Sequence, residues 1–499
     1  MDQPALADAF FSARRTKDTL PLIALPAEPD RAWLLGLPDR HARWLRSQGA
    51  DLAGAGLVLP VPGEDGDLEA VYFSPTSHAG DSWRLAHLPA KLPPGRYVLE
   101  DEAGLSRSAA TQACFGWALS QCPDRRYKSD GAGDAGASSW SSSSAGRRAR
   151  APQGDAPAVL VWPKAADRVE TSAWLEGVVM ARRLVNTPAE DMGPAELAEA
   201  AKALAEQHGG RFEQVVGDAM LAEGFPAAHA VGRGATPARA PRILMLRFRG
   251  SRSAPTVALV GKGVVFDTGG LDIKPRSSMR NMKKDMGGAA VALGLARTLL
   301  ELGTDLNLLV VIGAVENAVS AGSFRPGDVL QTRKGLTVEV GDTDAEGRLV
   351  LSDCLTYAGE QDPDLILDFA TLTGSARVAL GPDLPPVMAR DNGLSTALAQ
   401  AGHEVGDPLW PMPLYLPYAQ HLRSTIADLC NITEGFGFAG SITAGLFLEK
   451  FVPKGTDWAH FDLFCWNPSS RPGRPAGGEA HALRAVAGFL RTWKPDRPS

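Results

Sequence analysis

Charged side chains concentrate beside glycines in three stretches of the chain. The first, Gly261-Lys262-Gly263-Val264-Val265-Phe266-Asp267-Thr268-Gly269-Gly270, sets a lysine and an aspartate between residues that allow the backbone to distort. Lys274-Pro275 follows, and then Asn281-Met282-Lys283-Lys284-Asp285-Met286-Gly287-Gly288. The third, Gly341-Asp342-Thr343-Asp344-Ala345-Glu346-Gly347-Arg348, crowds three acids and an arginine into one turn. Acids that close repel one another unless cations hold them. Two divalent ions about 3.5–4 Å apart, bridged by carboxylates, would polarise a carbonyl and generate hydroxide from water near neutral pH. Asp267, Asp285, Asp344 and Glu346 supply the four negative charges that balance such a pair. Lys274 and Arg348 then leave a positive excess, which suits the oxyanion formed when an amide is hydrolysed. Phosphoryl transfer stays open, because dinuclear carboxylate sites also perform it. The plainer alternatives are that Asp285 caps a helix and that the 341–348 acids form a surface turn.

The absent motifs narrow the chemistry further. Gly-x-Ser-x-Gly, His-Glu-x-x-His and P-loop signatures are missing, and His403-Glu404-Val405-Gly406-Asp407 fails at its fifth position. The run from Gly261 begins like a dinucleotide fingerprint but places Phe266 where the third glycine must let helix and strand meet. A formal net charge of -6 gives no global pull toward nucleic acid or an anionic membrane. The cysteines, at 114, 122, 354, 430 and 465, form no close pair, which suits reduced thiols better than a disulfide framework. The N-terminal Met1 to Leu25 does not resemble a secretory signal, and no apolar run reaches membrane-span length. A soluble, cytoplasmic protein is expected.

The 499 residues suggest two domains. Up to about residue 128, short apolar runs (Leu57 to Val61, Ala70 to Phe73, Tyr97 to Leu99) and a helix over Ser106 to Ser120 imply a small α/β or α+β domain. From Ser129 to Pro157 the composition falls to Gly, Ala and Ser with a basic Arg147-Arg148-Ala149-Arg150 cluster, which cannot build a core. A strand over Val159 to Trp162 and helices over Val169 to Val185 and Pro194 to His208 lead into the second domain. There strands at Ile243 to Phe248, Val257 to Val260, Leu306 to Ile312, Leu336 to Val340 and Leu365 to Phe369 alternate with helices at Gly287 to Leu302 and Leu349 to Gly359. Continuous apolar strands between helices imply a sheet covered on both faces and at least partly parallel, with ligands beyond its carboxyl edge. The three charged stretches are expected to end at that one edge.

These motifs, together with Asp368-Phe369-Ala370-Thr371-Leu372-Thr373-Gly374 and Trp458-Ala459-His460-Phe461-Asp462, resemble the leucyl (cytosol) aminopeptidase family across the second half of the chain. The resemblance implies a metal-dependent aminopeptidase that releases the N-terminal residue of a peptide through water or hydroxide bridging two divalent ions, Mn2+ or Zn2+. It assigns Lys262, Asp267, Asp285 and Glu346 to one metal site, and Asp267, Asp344 and Glu346 to the other. Lys274 would polarise the scissile carbonyl, Arg348 would hold a bicarbonate acting as general base, and Met282, Thr371 and Gly374 would line the substrate pocket. It further implies a macro-like N-terminal α/β domain over 1–165, a linker helix and catalytic domain over 166–499, and a homo-hexamer. Asp342 departs from the family, which usually has Asn there. A DNA-binding regulator and a catalytically silent assembly protein are the competing classes.

Overall fold

The structure is a computed structural model that describes residues 5–48, 52–76, 81–100, 102, 105–124, 126–127 and 157–495. The low-complexity insertion expected over 129–157 lies outside these, except for Pro157. Two compact units divide the described residues: up to 127 with 157–176 and 470–475, and 177–469 with 476–495. The division falls inside the helix Arg168–Asn186. Among the described residues no helix is long and apolar enough to cross a membrane.

The first unit holds a six-stranded sheet in the order Phe11–Ser12, Ala158–Val161, Gly95–Leu99, Thr19–Ala24, Leu68–Phe73, Val58–Pro62. All neighbours are parallel except the last pair. The helix Arg107–Leu119 is buried almost throughout and starts where Ser106 Oγ accepts the Ala109 N–H, a side-chain cap that satisfies one of the helix's free donors. Phe115 and Trp174 meet edge to face in its core, a favourable arrangement of ring quadrupoles.

The second unit is built on an eight-stranded sheet. Its four central strands, in the order Asp457–Asp462, Leu365–Ala370, Thr256–Asp267, Asn307–Asn317, are parallel. Pro386–Ala389 runs antiparallel to Asp457–Asp462 and carries Trp410–Pro411 outside it, while Arg242–Phe248 and Arg211–Val216 close the other edge antiparallel. The sheet is therefore mixed and largely parallel, with the continuous apolar strands that burial on both faces requires. Alternate residues face opposite sides. A Cβ on Gly261 would meet Ala289 of the helix Gly287–Glu301, and one on Gly313 would meet Val350 of the helix Gly347–Gly359. Gly313 pairs with Lys262, so Lys262 looks toward the second of these helices. The start of the first helix lies flush on the sheet because Gly288 has no side chain; a Cβ there would sit 2.0 Å from the Phe369 carbonyl oxygen.

One expectation is corrected. The strand expected over Leu336 to Val340 exists as Thr337–Glu339, but it pairs with Val329–Gln331 and Leu429–Cys430 in a separate three-stranded sheet. Apolar alternation marks a strand without naming its partner, and here the partners lie in segments too short to stand out in sequence. The acidic stretch 341–348 thus leaves this small sheet and enters the helix Gly347–Gly359.

That helix is anchored from within. Asp353, fully buried, accepts the N–H groups of Ala227 and Ala228 at the start of the helix Pro226–Gly232 (2.9 and 3.0 Å) and of Arg333 (2.7 Å). Replacing Asp353 by Ala would leave two buried donors and one partly buried donor unpaired, at about 1–3 kcal/mol for each buried group. A D353A variant is expected to lose roughly 3 kcal/mol or more of stability, read as a lower urea midpoint.

Candidate metal centre

The carboxyl edge of the central strands gathers the charged residues. Asp267 ends the strand Thr256–Asp267, and its register partner on the next strand is Asn317. Asp285 comes from the short turn Met282–Met286 that precedes the helix Gly287–Glu301. It does not cap that helix, whose first turn receives no side-chain hydrogen bond. Asp344 and Glu346 come from the loop behind the small sheet. One oxygen each of Asp267, Asp344 and Glu346 lie within 4.8 Å of one another. Asp285 joins them through Lys262, whose Nζ lies 2.7 Å from Asp285 Oδ2 and 2.8 Å from Glu346 Oε1. Lys274 Nζ lies 2.7 Å from Asp267 Oδ2 and also contacts Asp344. Lys262, Asp267, Asp285 and Glu346 are all buried.

Such crowding has an electrostatic signature. Burial and then the Asp267 charge push the Asp344 carboxyl up to about 6 and hold Glu346 well above the usual range, despite the two lysines. Burial works in the same direction on Asp285, but there Lys262 and Lys284 outweigh it and the carboxyl is held low. Burial alone would lower both lysines; Asp285, Glu346 and Asp267 raise Lys262 instead, and Asp267 and Glu346 raise Lys274. Asp285 Oδ2 and Glu346 Oε1 touch Lys262 as ion pairs, yet neither makes a directed hydrogen bond. Buried carboxylate oxygens without such a bond are uncommon and call for another electropositive partner. The donor set, four carboxylates and an amine, fits divalent cations.

Polar side chains around the cluster tie its acidic residues in place. Asn317 Nδ2 donates to Asp267 Oδ1 (2.8 Å) and to the Thr343 carbonyl (3.1 Å). Thr343 Oγ1 donates to the Gly269 carbonyl (2.6 Å), and its N–H to Asp272 (2.8 Å). Asn431 Oδ1 accepts the Gly341 N–H (2.8 Å) while its Nδ2 reaches the Asp342 carbonyl (2.7 Å). Asp342 turns its own Oδ1 onto the Asp344 N–H (2.7 Å), a local turn contact that an amide oxygen could make equally well. None of Asn317, Asn431 and Asp272 was singled out in sequence. Asn317 had a signal, a polar residue closing an apolar strand at the same edge as Asp267; Asn431 had none.

Arg348 is buried two residues beyond Glu346, where burial lowers its pKa against the pull of Glu346 and Asp462. It donates to the Asn431 carbonyl (2.5 Å) and stacks 5.9 Å from the Phe447 ring centroid. Among the described residues it has no carboxylate within ion-pair distance, and its Nε is buried without a partner. Of the expected substrate residues, Thr371 reaches the cluster: Oγ1 donates to Asp285 Oδ1 (2.8 Å), and its carbonyl lies 3.2 Å from Lys262 Nζ. Met282 opens the turn that carries Asp285, and Gly374 starts the helix Gly374–Leu380 facing open space.

Two family models match this chain: the cytosol aminopeptidase family catalytic domain over residues 179–487, and the M17 aminopeptidase N-terminal domain over 20–136. The chain belongs to the cytosol aminopeptidase family. A probable cytosol aminopeptidase of Syntrophobacter fumaroxidans is 41% identical over 320 residues, 64% of this chain and 63% of that protein. One from Mycobacterium ulcerans is 44% identical over 292 residues, 57% of this chain and 56% of its own. Alignment with these family members thus spans less than two thirds of their length. The crystal structure of a cytosol aminopeptidase from Coxiella burnetii matches with a TM-score of 0.86 and 41% identity, covering 97% of this chain and 99% of that one. The bottromycin maturation enzyme BotP in complex with Mn matches with a TM-score of 0.78 and 28% identity, covering 95% and 99%.

Gly347 packs directly on the Lys262 side chain, and a Cβ there would lie 2.6 Å from Lys262 Cε and 2.7 Å from its Nζ. Gly347→Ala is therefore expected to push the Lys262 amine off Asp285 and Glu346 and to weaken Mn2+ binding about tenfold or more in calorimetry. Gly437→Ala, where a Cβ meets open space, is the control and is expected to bind Mn2+ as the unmodified chain does.

Proposed function

We propose that the chain is a metal-dependent aminopeptidase that hydrolyses the first peptide bond of peptides with a free amino terminus. The observation that carries this reading is the approach of Asp267, Asp344 and Glu346 at one sheet edge, beside two buried carboxylate oxygens that lack a directed hydrogen bond. Membership of the cytosol aminopeptidase family supports it. Lys262, Asp267, Asp285 and Glu346 would hold one ion, and Asp267, Asp344 and Glu346 the other, so that Asp267 and Glu346 are shared. The ions, Mn2+ or Zn2+, would supply Lewis acidity to the scissile carbonyl and make a water acidic enough to attack near neutral pH. Manganese is the metal named with BotP, and a carboxylate and amine donor set accepts either.

The chain's own residues divide the remaining work. Lys262 must bind as a neutral amine, which from a reference pKa of about 10.4 costs about 4.6 kcal/mol at pH 7 before any gain from coordination. Lys274 pairs with Asp267 and Asp344; with ions held by those carboxylates its ammonium would be free to face the substrate carbonyl, where it would stabilise the oxyanion. Arg348, buried without an ion-pair partner among the described residues, would hold a small anion such as bicarbonate that accepts a proton from the attacking water. Met282, Thr371 and Gly374 would receive the side chain of the N-terminal residue. The domain division near residue 165, a hexameric assembly and a cytoplasmic location complete the proposal.

The decisive test is leucine or methionine release from short peptides by Mn2+- or Zn2+-loaded protein. Glu346→Gln is expected to lower the rate by at least about 100-fold together with metal content, since it removes a shared ligand. Absence of release from any peptide under full metal loading would overturn the reading.

The pH dependence of loading follows from the same charges. Lys262 is held protonated, and Asp344 and Glu346 are raised, so ion binding must displace their protons. Affinity for Mn2+ is expected to rise with pH from about 6 upward, by about tenfold per pH unit for each proton displaced. Calorimetry in buffers of different ionisation enthalpy would count the protons.

A further inference from the structure

Lys284 also lies at the site and has no assigned part in holding the proposed ions. It lies in the turn Met282–Met286, next to Asp285, and is only 7% exposed. Among the described residues it has no carboxylate within ion-pair distance and makes no hydrogen bond through its amine. Its Nζ stands 5.2 Å from the centroid of the Phe464 ring. Arg377, from the helix Gly374–Leu380, approaches the same ring, with Cζ at 4.8 Å from the centroid. Phe464 and Arg377 line one cleft with Thr373 and Asp462. Two cations therefore share one aromatic ring, and among the described residues the more buried one has no carboxylate within ion-pair distance.

The nearby acids are otherwise engaged. Asp285 gives one oxygen to Thr371 and the other to Lys262. Asp462 accepts the N–H groups of Leu372 and Thr373 and the hydroxyls of Thr373 and Ser441. The Cys465 thiol is pushed up to about 12 by burial and carries no charge. A ring face recovers only part of the cost of taking an ammonium out of water, and a carboxylate recovers far more. The segments that carry the two cations also carry Met282 on one side and Thr371 and Gly374 on the other, the residues assigned above to the substrate side chain.

We propose that Lys284, assisted by Arg377 across the Phe464 ring, selects peptides whose N-terminal residue bears a side-chain carboxylate, glutamate or aspartate. The proposal rests on the aminopeptidase reading and adds its substrate class. The ammonium pairs with the side-chain carboxylate, while Phe464 walls off the pocket from bulky neutral groups. Glutamine, which matches glutamate in shape without the charge, is the informative competitor.

The test measures kcat/KM of the Mn2+-loaded full chain for Glu-Ala, Gln-Ala and Leu-Ala. Glu-Ala is expected to exceed Gln-Ala by about tenfold or more. Lys284→Met, which keeps the aliphatic stem, is expected to bring that ratio to about one, and Lys284→Arg to preserve it. Lys284→Glu is expected to turn preference toward Lys-Ala. Equal rates for Glu-Ala and Gln-Ala, or a preference that survives in Lys284→Met, would overturn the proposal while leaving the aminopeptidase reading intact. If no dipeptide is cleaved, the aminopeptidase reading falls and calorimetry with free L-glutamate and L-glutamine decides the site on its own. Glutamate binding that is tighter than glutamine binding and lost in Lys284→Met supports it; equal or absent binding of the two overturns it.

Discussion

Four carboxylates share one rim of a parallel sheet, and their mutual repulsion is the constraint around which the rest of this protein is organised. Asp267, Asp285, Asp344 and Glu346 are balanced within the chain by two ammonium groups, each spanning a pair of them. Burial, with the Asp267 charge added to it, raises the carboxyls of Asp344 and Glu346 despite these lysines. A site in this condition gains most from ions of charge two. The proposed chemistry follows from the same imbalance, because cations that satisfy it leave Lys274 and Arg348 as surplus positive charge facing a developing oxyanion.

The scaffold holds the repelling groups in place by distributing them over elements that cannot move independently. Asp267 is fixed by the strand register that sets it against Asn317. Asp285 follows a turn whose continuing helix lies flush on the sheet through Gly288. Asp344 and Glu346 are tied by Asn431 and Thr343 to two other loops, and the helix that continues from them is pinned by the buried Asp353. Rigid support of this kind would let the proposed ligand set be complete before any ion binds. Lys284, a nearly buried ammonium over Phe464, adds a further positive charge next to Asp285, and in the proposal above that charge also acts on the substrate.

Much of this was legible in sequence, for identifiable physical reasons. The central strands and the helices at 287–301 and 347–359 announce themselves through long apolar runs and through glycines at their joints, and glycine beside charge at strand ends marked Lys262, Asp267, Asp285 and Glu346. Sequence periodicity carries no information about which strand pairs with which, so the strand 337–339 was assigned to the main sheet when it belongs to a smaller one. Asn431 was invisible because it acts through a short strand some ninety residues from the loop it supports. Lys284 was quoted as part of a motif, but only the three-dimensional proximity of Phe464 and Arg377 separates it from an ordinary surface lysine.

Anomalous diffraction from crystals grown with Mn2+ would test the central claim most directly, since it locates the ions without reference to turnover. The account predicts two anomalous peaks about 3.5–4 Å apart, both within reach of Asp267 and Glu346, with the Lys262 amine turned onto one of them. Crystals with no peak at this rim, or with the Lys262 amine still paired to Asp285 and Glu346 at full Mn2+ occupancy elsewhere, would contradict it.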